Sequence, residues 1–597
     1  MNLLQKAISV ILTLGMVLAA GCGEAAVEGT AEEETASYKM ETKMIDLPVE
    51  YSPREFAFDE TGEKLLFTYV QNGQEYICNL AVPEETADYQ TQMYCEEKNT
   101  SGSFLRYEDE VAAFLKKQKD EIKVYPCKEA LFYCQDGELL SYSLEKDTSK
   151  RICRLSEYDL LEYQIQAIFG TEDSVLLACF DPNQKNAKIE LVHLYQEENH
   201  FWSGEAEQEM QTVKLFVPST MGSSLFGEAI AGFNKEQKQY RVELEEMELG
   251  GILDMEDYYT KIQVTLLKKD CPDMVFFFDE TDIYRYKDKD VFADLSPWLE
   301  TSQNYSLEDF QENVLDCYRI GGKLIALPTT YSVDTISGRA SQMGEKAGWT
   351  VWEFLEWLKT HPEVKSKYGL SKDMVLEICL KGCLNSFVNY EEKRATFDGQ
   401  EFQKLLYQIQ ELTLDEKSYE SEWIELLNEK ATILSDTGLT DYTSYIQQEL
   451  TRYDNEMVFK GYPSMDGEPV YLLHTSPLCI LEGSDCKEGA YAFYEYYIEY
   501  RNKEQSLFSG LKEQMAKNRE AAQKPQAILI SGNIVEVQCS VDKVDAVLDS
   551  AVASQGRELQ VREIVLEEAQ SYFGGGKDLD AVCELIQNRI CLWLWEE

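Results

Sequence analysis

The feature that most constrains this chain is a change of hydrophobic period at Thr212. Upstream, short runs alternate apolar and polar residues between turn pairs; downstream, strand-like runs take turns with stretches of helical spacing. Residues 213–217 read as a strand. Residues 223–238 place Leu225, Ala229, Ile230 and Phe233 on one helical face, and Tyr240, Val242 and Leu244 alternate as the next strand. Residues 255–269 are again helical, with Tyr258, Tyr259, Ile262 and Leu266 in register, and 273–278 form a continuous apolar strand. This order is the pattern of an open α/β sheet covered on both faces, whose ligands sit beyond the carboxyl ends of its strands.

Residues 38–207 predict an all-β domain. The runs 65–70 and 75–80 flank Asn72-Gly73, and 130–133 and 138–144 flank Asp136-Gly137, both preferred two-residue hairpin turns. Further strands are expected at 55–58, within 111–124 with a break, at 174–180 and at 188–194. EFAFDETGEKLLFTY resembles a propeller blade, but the hairpin spacing is irregular. The region holds at most four blades of roughly 40 to 45 residues each, so a partial propeller and a β-sandwich both stay open.

Residues 1–22 read as a lipoprotein signal peptide. Lys6 supplies the positive start, 7–20 carry no charge, and Leu18-Ala19-Ala20-Gly21-Cys22 resembles a bacterial lipobox. The apolar stretch falls short of the roughly 20 residues that cross a bilayer. A lipid on the Cys22 sulfur is therefore expected, placing the chain on the extracytoplasmic face of a bacterial membrane. Residues 23–37, acidic and without aromatics, form a flexible tether.

Composition narrows the functions. The chain has 56 Lys plus Arg against 108 Asp plus Glu, a net charge of −52, which repels nucleic acid. Sixteen cysteines are too scattered for a disulfide framework, so most are expected to be buried free thiols. No CxxC, HExxH, P-loop, GxSxG or EF-hand spacing occurs, and the four histidines lie far apart in sequence. Neither a catalytic constellation, a metal site nor a cofactor is expected.

DYYTKIQVTLLKKDCPDMVFF from Asp257, DLSPWLE from Asp294, ENVLDCYRIGGKLIALPTTYSV from Glu312, GWTVWEFLEWLKTHPE from Gly348 and VREIVLEEAQSYFGGGKDLDAVCELIQNRICLWLWEE from Val561 form an ordered set. Together they resemble the extracellular solute-binding proteins of family 1, the receptor lipoproteins of ABC importers, over residues 212–597. The resemblance implies a two-lobed periplasmic-binding-protein-like α/β fold that closes on a solute, most often a saccharide. It also implies ABC permease subunits as membrane partners and no bond chemistry. The β-rich region is an addition to that family.

Sugars present apolar faces and a ring of hydroxyls, so their sites pair aromatic plates with carboxylates and amides. Ser219 and Thr220 precede a helix N-terminus and are candidates there, with simple N-capping by Ser219, Thr220 or Ser223 as the alternative. Asp279 and Glu280 follow the strand at 273–278; a solvated acidic turn is the other reading. Trp349 and Trp352 are candidate stacking plates, although Trp352 also fits a helical apolar stripe with Leu355 and Leu358. Tyr331 and Asp334 lie where the family crosses between lobes. Asp436 falls in a strand-end loop after the apolar run 431–434, and Tyr462 and Asp466 belong to a segment resembling the family's G-[FY]-P loop, which also reads as a plain turn. Two other classes remain: a carbohydrate-active enzyme using paired carboxylates, and a surface module that senses or binds without transport.

Overall fold

The computed structural model describes residues 38–46, 53–59, 61–71, 74–82, 93–97, 111, 114–116, 122–127, 130–135, 137–180, 188–196, 210–247, 255–287, 289–451, 453, 455–503, 507–530, 533–537, 541–553 and 556–596. The signal peptide with Cys22, the tether, Asn72-Gly73, Asp136 and residues 208 and 209 lie outside them. The chain divides into two compact units, Met1–Met255 and Glu256–Glu597.

The first unit carries three four-stranded antiparallel sheets. Strands β1 (Lys39–Asp46), β2 (Pro53–Phe58), β3 (Lys64–Gln71), β4 (Gln74–Ala81) and β5 (Met93–Glu97) come first. Then follow β6 (Val124–Pro126), β7 (Ala130–Gln135), β8 (Glu138–Ser143), β9 (Thr148–Arg154), β10 (Ile165–Thr171), β11 (Ser174–Phe180) and β12 (Lys188–Tyr195). Two sheets are meanders, β2-β3-β4-β5 and β6-β7-β8-β9. The third, β1-β12-β11-β10, takes its edge strand from the start of the region and its other three from the end. That closure is propeller-like, and both expected hairpins are present, Leu65 facing Leu80 and Tyr133 facing Leu140. One side of the third sheet packs on the first meander through Ile45, Ala178, Ile189 and Leu191, the other on the second through Val175, Leu177, Val192 and Leu194.

The expected strand within 111–124 is corrected. Val111, Phe114 and Leu115 are helical and extended structure starts only at Val124, because Phe114 sinks against Tyr133 and Tyr142 at helical spacing. The unit continues past Thr212 into β13 (Gln211–Val217), α1 (Gly222–Glu236) and β14 (Tyr240–Glu246), with β13 and β14 parallel. Asn234 of α1 donates to Asp159 Oδ1 at 2.7 Å and Arg241 of β14 to Asp159 Oδ2 at 2.7 Å. This buried carboxylate therefore ties the β-rich region to the first βαβ element.

The second unit is α/β and two-lobed. After α2 (Met255–Leu267), β15 (Met274–Phe276) is shorter than the expected 273–278 strand, because Asp279 already caps the 3₁₀ turn Glu280–Tyr286. The chain then enters the second lobe through β16 (Thr330–Arg339), the centre of a six-stranded sheet. The helices α3 (Val351–Thr360), α4 (Lys372–Cys383) and α5 (Gln400–Gln410) follow. Phe402, Leu405, Leu406 and Ile409 recur at helical spacing and are all buried, so α5 gives one whole face to this lobe's core. Strands β17 (Ser435–Leu439), β18 (Met457–Phe459) and β19 (Leu472–Thr475) pair antiparallel with β16. The chain returns through β19 into β20 (Leu478–Ile480), which pairs with β15. After α6 (Lys487–Lys503) it reaches β16 again in β21 (Phe508–Ser509), and β22 (Val552–Ala553) joins β19 in parallel. Helices α7 (Gly556–Phe573) and α8 (Leu579–Glu596) complete the second lobe, with Val561, Val565, Ile586 and Ile590 in the core beside Cys379 and Cys383 of α4.

The expected loop at 435–438 is likewise corrected. Asp436 and Thr437 sit inside β17, since Thr437 is buried, faces Thr335 in the ladder and shares a hydroxyl hydrogen bond with Ser337. Among the described residues twelve cysteines are free and nine of these are buried, whereas Cys78 is disulfide-bonded. None of the described helices is long and apolar enough to cross a membrane.

Candidate functional site

Strand register decides which candidate side chains meet. Facing residues of an antiparallel pair share one side of the sheet and successive residues alternate. In β16, Ser332 faces His474, and Asp334 faces both Leu472 and Gly438, while Ile336 faces Asp436. Ser332, Asp334, Asp436 and His474 therefore lie on one side of the crossing strands. Tyr331, Val333 and Thr335 lie on the other, where Tyr331 packs against Phe508 at 5.7 Å between ring centroids. Tyr331 does not join the polar face. A side chain at Gly438 would put its Cβ 3.3 Å from Asp334 Oδ1, so glycine there leaves the carboxylate room.

The first lobe adds Asp279 and Glu280. Asp279 begins the 3₁₀ turn by accepting from Thr281 N–H at 2.7 Å and its hydroxyl at 2.5 Å, an Asx-type cap that directs Glu280 inward. Glu280 is 2% exposed, accepts from the Thr475 N–H at 2.9 Å and lies 3.4 Å from His474 Nδ1. Donor atoms of Asp279, Glu280 and His474 all fall within 4.8 Å of one another. Two adjacent residues and a histidine remote in sequence thus make one cluster.

Charge explains how the cluster holds. Burial raises the Glu280 carboxyl, and the nearby Asp279 adds to this, while His474 and the Thr475 N–H oppose it. Burial works against a charged His474, yet the hydrogen bond and charge of Glu280, with Asp279 and Asp334, push it up to about 10. Burial also raises Asp334, which accepts no hydrogen bond from a described residue and is only partly relieved by His474 and Lys381. Beside it Tyr462, 0% exposed, donates to Asp436 Oδ1 at 2.6 Å, and Lys381 donates to Asp436 Oδ2 at 3.2 Å and to the Tyr462 oxygen at 3.0 Å. Deeper in the first lobe, burial and Asp279 push Asp282 up to about 7 despite Arg285.

Several candidates fall elsewhere. Trp349 is 5% exposed and donates its indole N–H to the Gly461 carbonyl at 3.0 Å, with Phe354 at 4.9 Å, so it is a core residue and no stacking plate. Trp352 packs half-buried against the same core beneath the Lys404 ammonium, 3.7 Å from its ring. Asp466 is exposed and accepts from Ser464 Oγ at 2.8 Å and Glu468 N–H at 3.2 Å, which makes it a turn residue. In the first unit, Ser219 is buried and accepts from Met221 N–H at 3.2 Å, while Thr220 is exposed. Neither residue caps α1, nor does Ser223. Glu246 of β14 accepts the Ser223 N–H at 2.9 Å instead, occupying a donor that a ligand would need.

His474, Lys381 and Arg285 were not legible in the sequence as site residues. Only the alternation in Leu472–Thr475 was a usable signal, since a half-buried strand places its polar residue on the opposite side from its neighbours.

Residues 228–506 match the sequence model of the bacterial extracellular solute-binding proteins. No curated protein matches the chain. Among solved structures, an ABC substrate-binding protein from Listeria monocytogenes in complex with cycloalternan is 13% identical, with 65% of this chain and all of that one covered at a TM-score of 0.46. An ABC transporter solute-binding protein from Thermotoga lettingae bound with α-D-tagatose is 14% identical over 64% of this chain and all of that one, at 0.45. The sugar-binding protein MalE from Xanthomonas citri is 12% identical over 65% of this chain and 98% of that one, at 0.44. The chain carries, over residues 228–506, a domain of the bacterial extracellular solute-binding protein family.

Proposed function

We propose that this protein is a lipid-anchored receptor that captures a saccharide outside the cell and hands it to the permease subunits of an ABC importer. The observation that carries the reading is the polar face on the crossing strands of a solute-binding domain. Asp279, Asp334 and Asp436 offer carboxylate oxygens at a place that opens and closes when lobes hinge. Hydroxyl groups are the donors such oxygens select, and Lys381 and His474 stand beside them to bind hydroxyl oxygens in return. No bond is broken: the carboxylates serve as acceptors, and Glu280 Oε2 is held by the Thr475 N–H beside His474. Lipid on Cys22 retains the receptor at the membrane, and the acidic tether lets it reach the permease.

A thermal-shift screen of the folded chain against a panel of mono- and oligosaccharides tests the solute class. A binder at about 100 times its dissociation constant stabilises by about 2.7 kcal/mol, a readable rise in melting temperature. Asp334→Asn abolishes that rise while leaving the ligand-free melt within a few degrees. A panel without any saturable shift removes the saccharide assignment.

A further inference from the structure

We propose that Asp279, Glu280 and His474 form a binding site for a zinc-class divalent cation at the strands that join the two lobes. The site goes beyond the receptor reading and does not depend on the solute being a sugar. Its geometry comes first. The donor atoms lie within 4.8 Å of one another, and the His474 Nδ1 to Glu280 Oε2 separation is 3.4 Å. Nitrogen and oxygen ligands at the usual zinc distances stand about 3.3 Å apart around a tetrahedral ion. One imidazole with two carboxylates is also the donor set that favours zinc over the all-oxygen shells of calcium and magnesium.

The outer contacts are in place as well. Thr475 N–H fixes Glu280, and Thr281 fixes Asp279 through one oxygen only, Oδ1. Such bonds orient metal-binding carboxylates. A second observation points to a ligand independently. Glu280 is 2% exposed, yet the structure gives its Oε1 no hydrogen-bond donor among the described residues, and Asp334 on the same side of the sheet accepts none either. Both carboxylates thus keep an oxygen that no described protein donor occupies, open to a cation. Because Asp279 and Glu280 belong to the first lobe and His474 to a crossing strand, the ion would pin the joint between lobes.

The test is isothermal titration of the full chain, stripped with EDTA, with zinc chloride and separately with calcium chloride. One zinc site per chain is expected, weakened at least tenfold by His474→Asn and by Asp279→Asn and unchanged in Asp466→Asn; calcium is expected to give no heat of binding. Because free thiols also bind zinc, cobalt is loaded in parallel and its absorption read. Bands of a nitrogen and oxygen shell, lost in His474→Asn, support the site, whereas a thiolate charge-transfer band overturns it. Absence of zinc binding, or equal binding by wild type and both variants, overturns it too. Should His474→Asn fail to fold, Asp279→Asn, which alters a half-exposed side chain, decides alone. Saccharide titrations in EDTA report on the receptor reading by themselves, so the two ideas fail separately.

Discussion

Asp415 shows how a single carboxyl in the second lobe becomes a pH sensor of stability. Lys365 and Tyr419 hydrogen-bond to it, the tyrosine at 2.8 Å, and the lysine bond is the larger cause that holds its pKa down at about 2. The unfolded value is about 3.9, so the stabilisation is complete above that pH and is lost as pH falls toward 2. Asp415→Asn is therefore expected to lower stability at neutral pH by about 1 kcal/mol, a modest figure because solvent screens a pair this exposed. Thermal melts of both proteins between about pH 7 and pH 3 should show the gap narrowing on acidification. A gap of constant size would mean that the lost contact is not ionic. The residue scale is also where the sequence misled most about the site. Trp349 and Trp352 have the composition of sugar plates, but aromatic type cannot tell a cleft from a core. Their neighbours Phe354, Leu355 and Leu358 decide it by packing.

Among elements, the join between the β-rich region and the first βαβ element matters most. The change of period at Thr212, taken alone, would separate the β-rich region from the α/β part. Asp159 instead receives Asn234 of α1 and Arg241 of β14, and Glu190 of β12 pairs with Lys235 at 2.6 Å. A buried carboxylate that loses both its donors is expensive to keep, so this link resists separation. Nicking within 197–209 is expected to leave the two fragments together on gel filtration, and Asp159→Ala should let them part at moderate denaturant. Fragments that separate in the wild type would show that Asp159 is not a significant tie.

For the whole molecule, location and output hang on the first residues. Cys22→Ala is expected to shift the protein from the membrane fraction to the medium, as loss of the acyl chains removes the only stable anchor proposed here. Retention of the variant on membranes after a high-salt wash would favour an uncleaved helix. The receptor reading also predicts compaction, because two lobes joined by β16 and β19 close by hinging about them. X-ray scattering of the chain with and without its solute should show a smaller radius of gyration when bound.

Local pattern along the chain is enough to set the elements and their kind. Alternation, helical spacing and hairpin turns are local, so β3 with β4, β7 with β8, α1, and the order of strands and helices after Thr212 were legible from neighbours along the chain. The family segments, read as an ordered set, carried the two-lobed architecture. Which distant residues meet depends instead on how the strands pair in three dimensions. Register across β16 put Asp334 and Asp436 on the side of His474 and turned Tyr331 away, since a one-residue slip sends every side chain of a strand to the opposite face. The 3₁₀ turn capped by Asp279 brought Glu280 to a histidine 194 positions later. Sequence distance carries no information about such pairings, and burial then shaped their charge: hydrogen bonds in a turn hold the Asp466 carboxyl low, whereas burial pushes the same group up at Glu280 and Asp334.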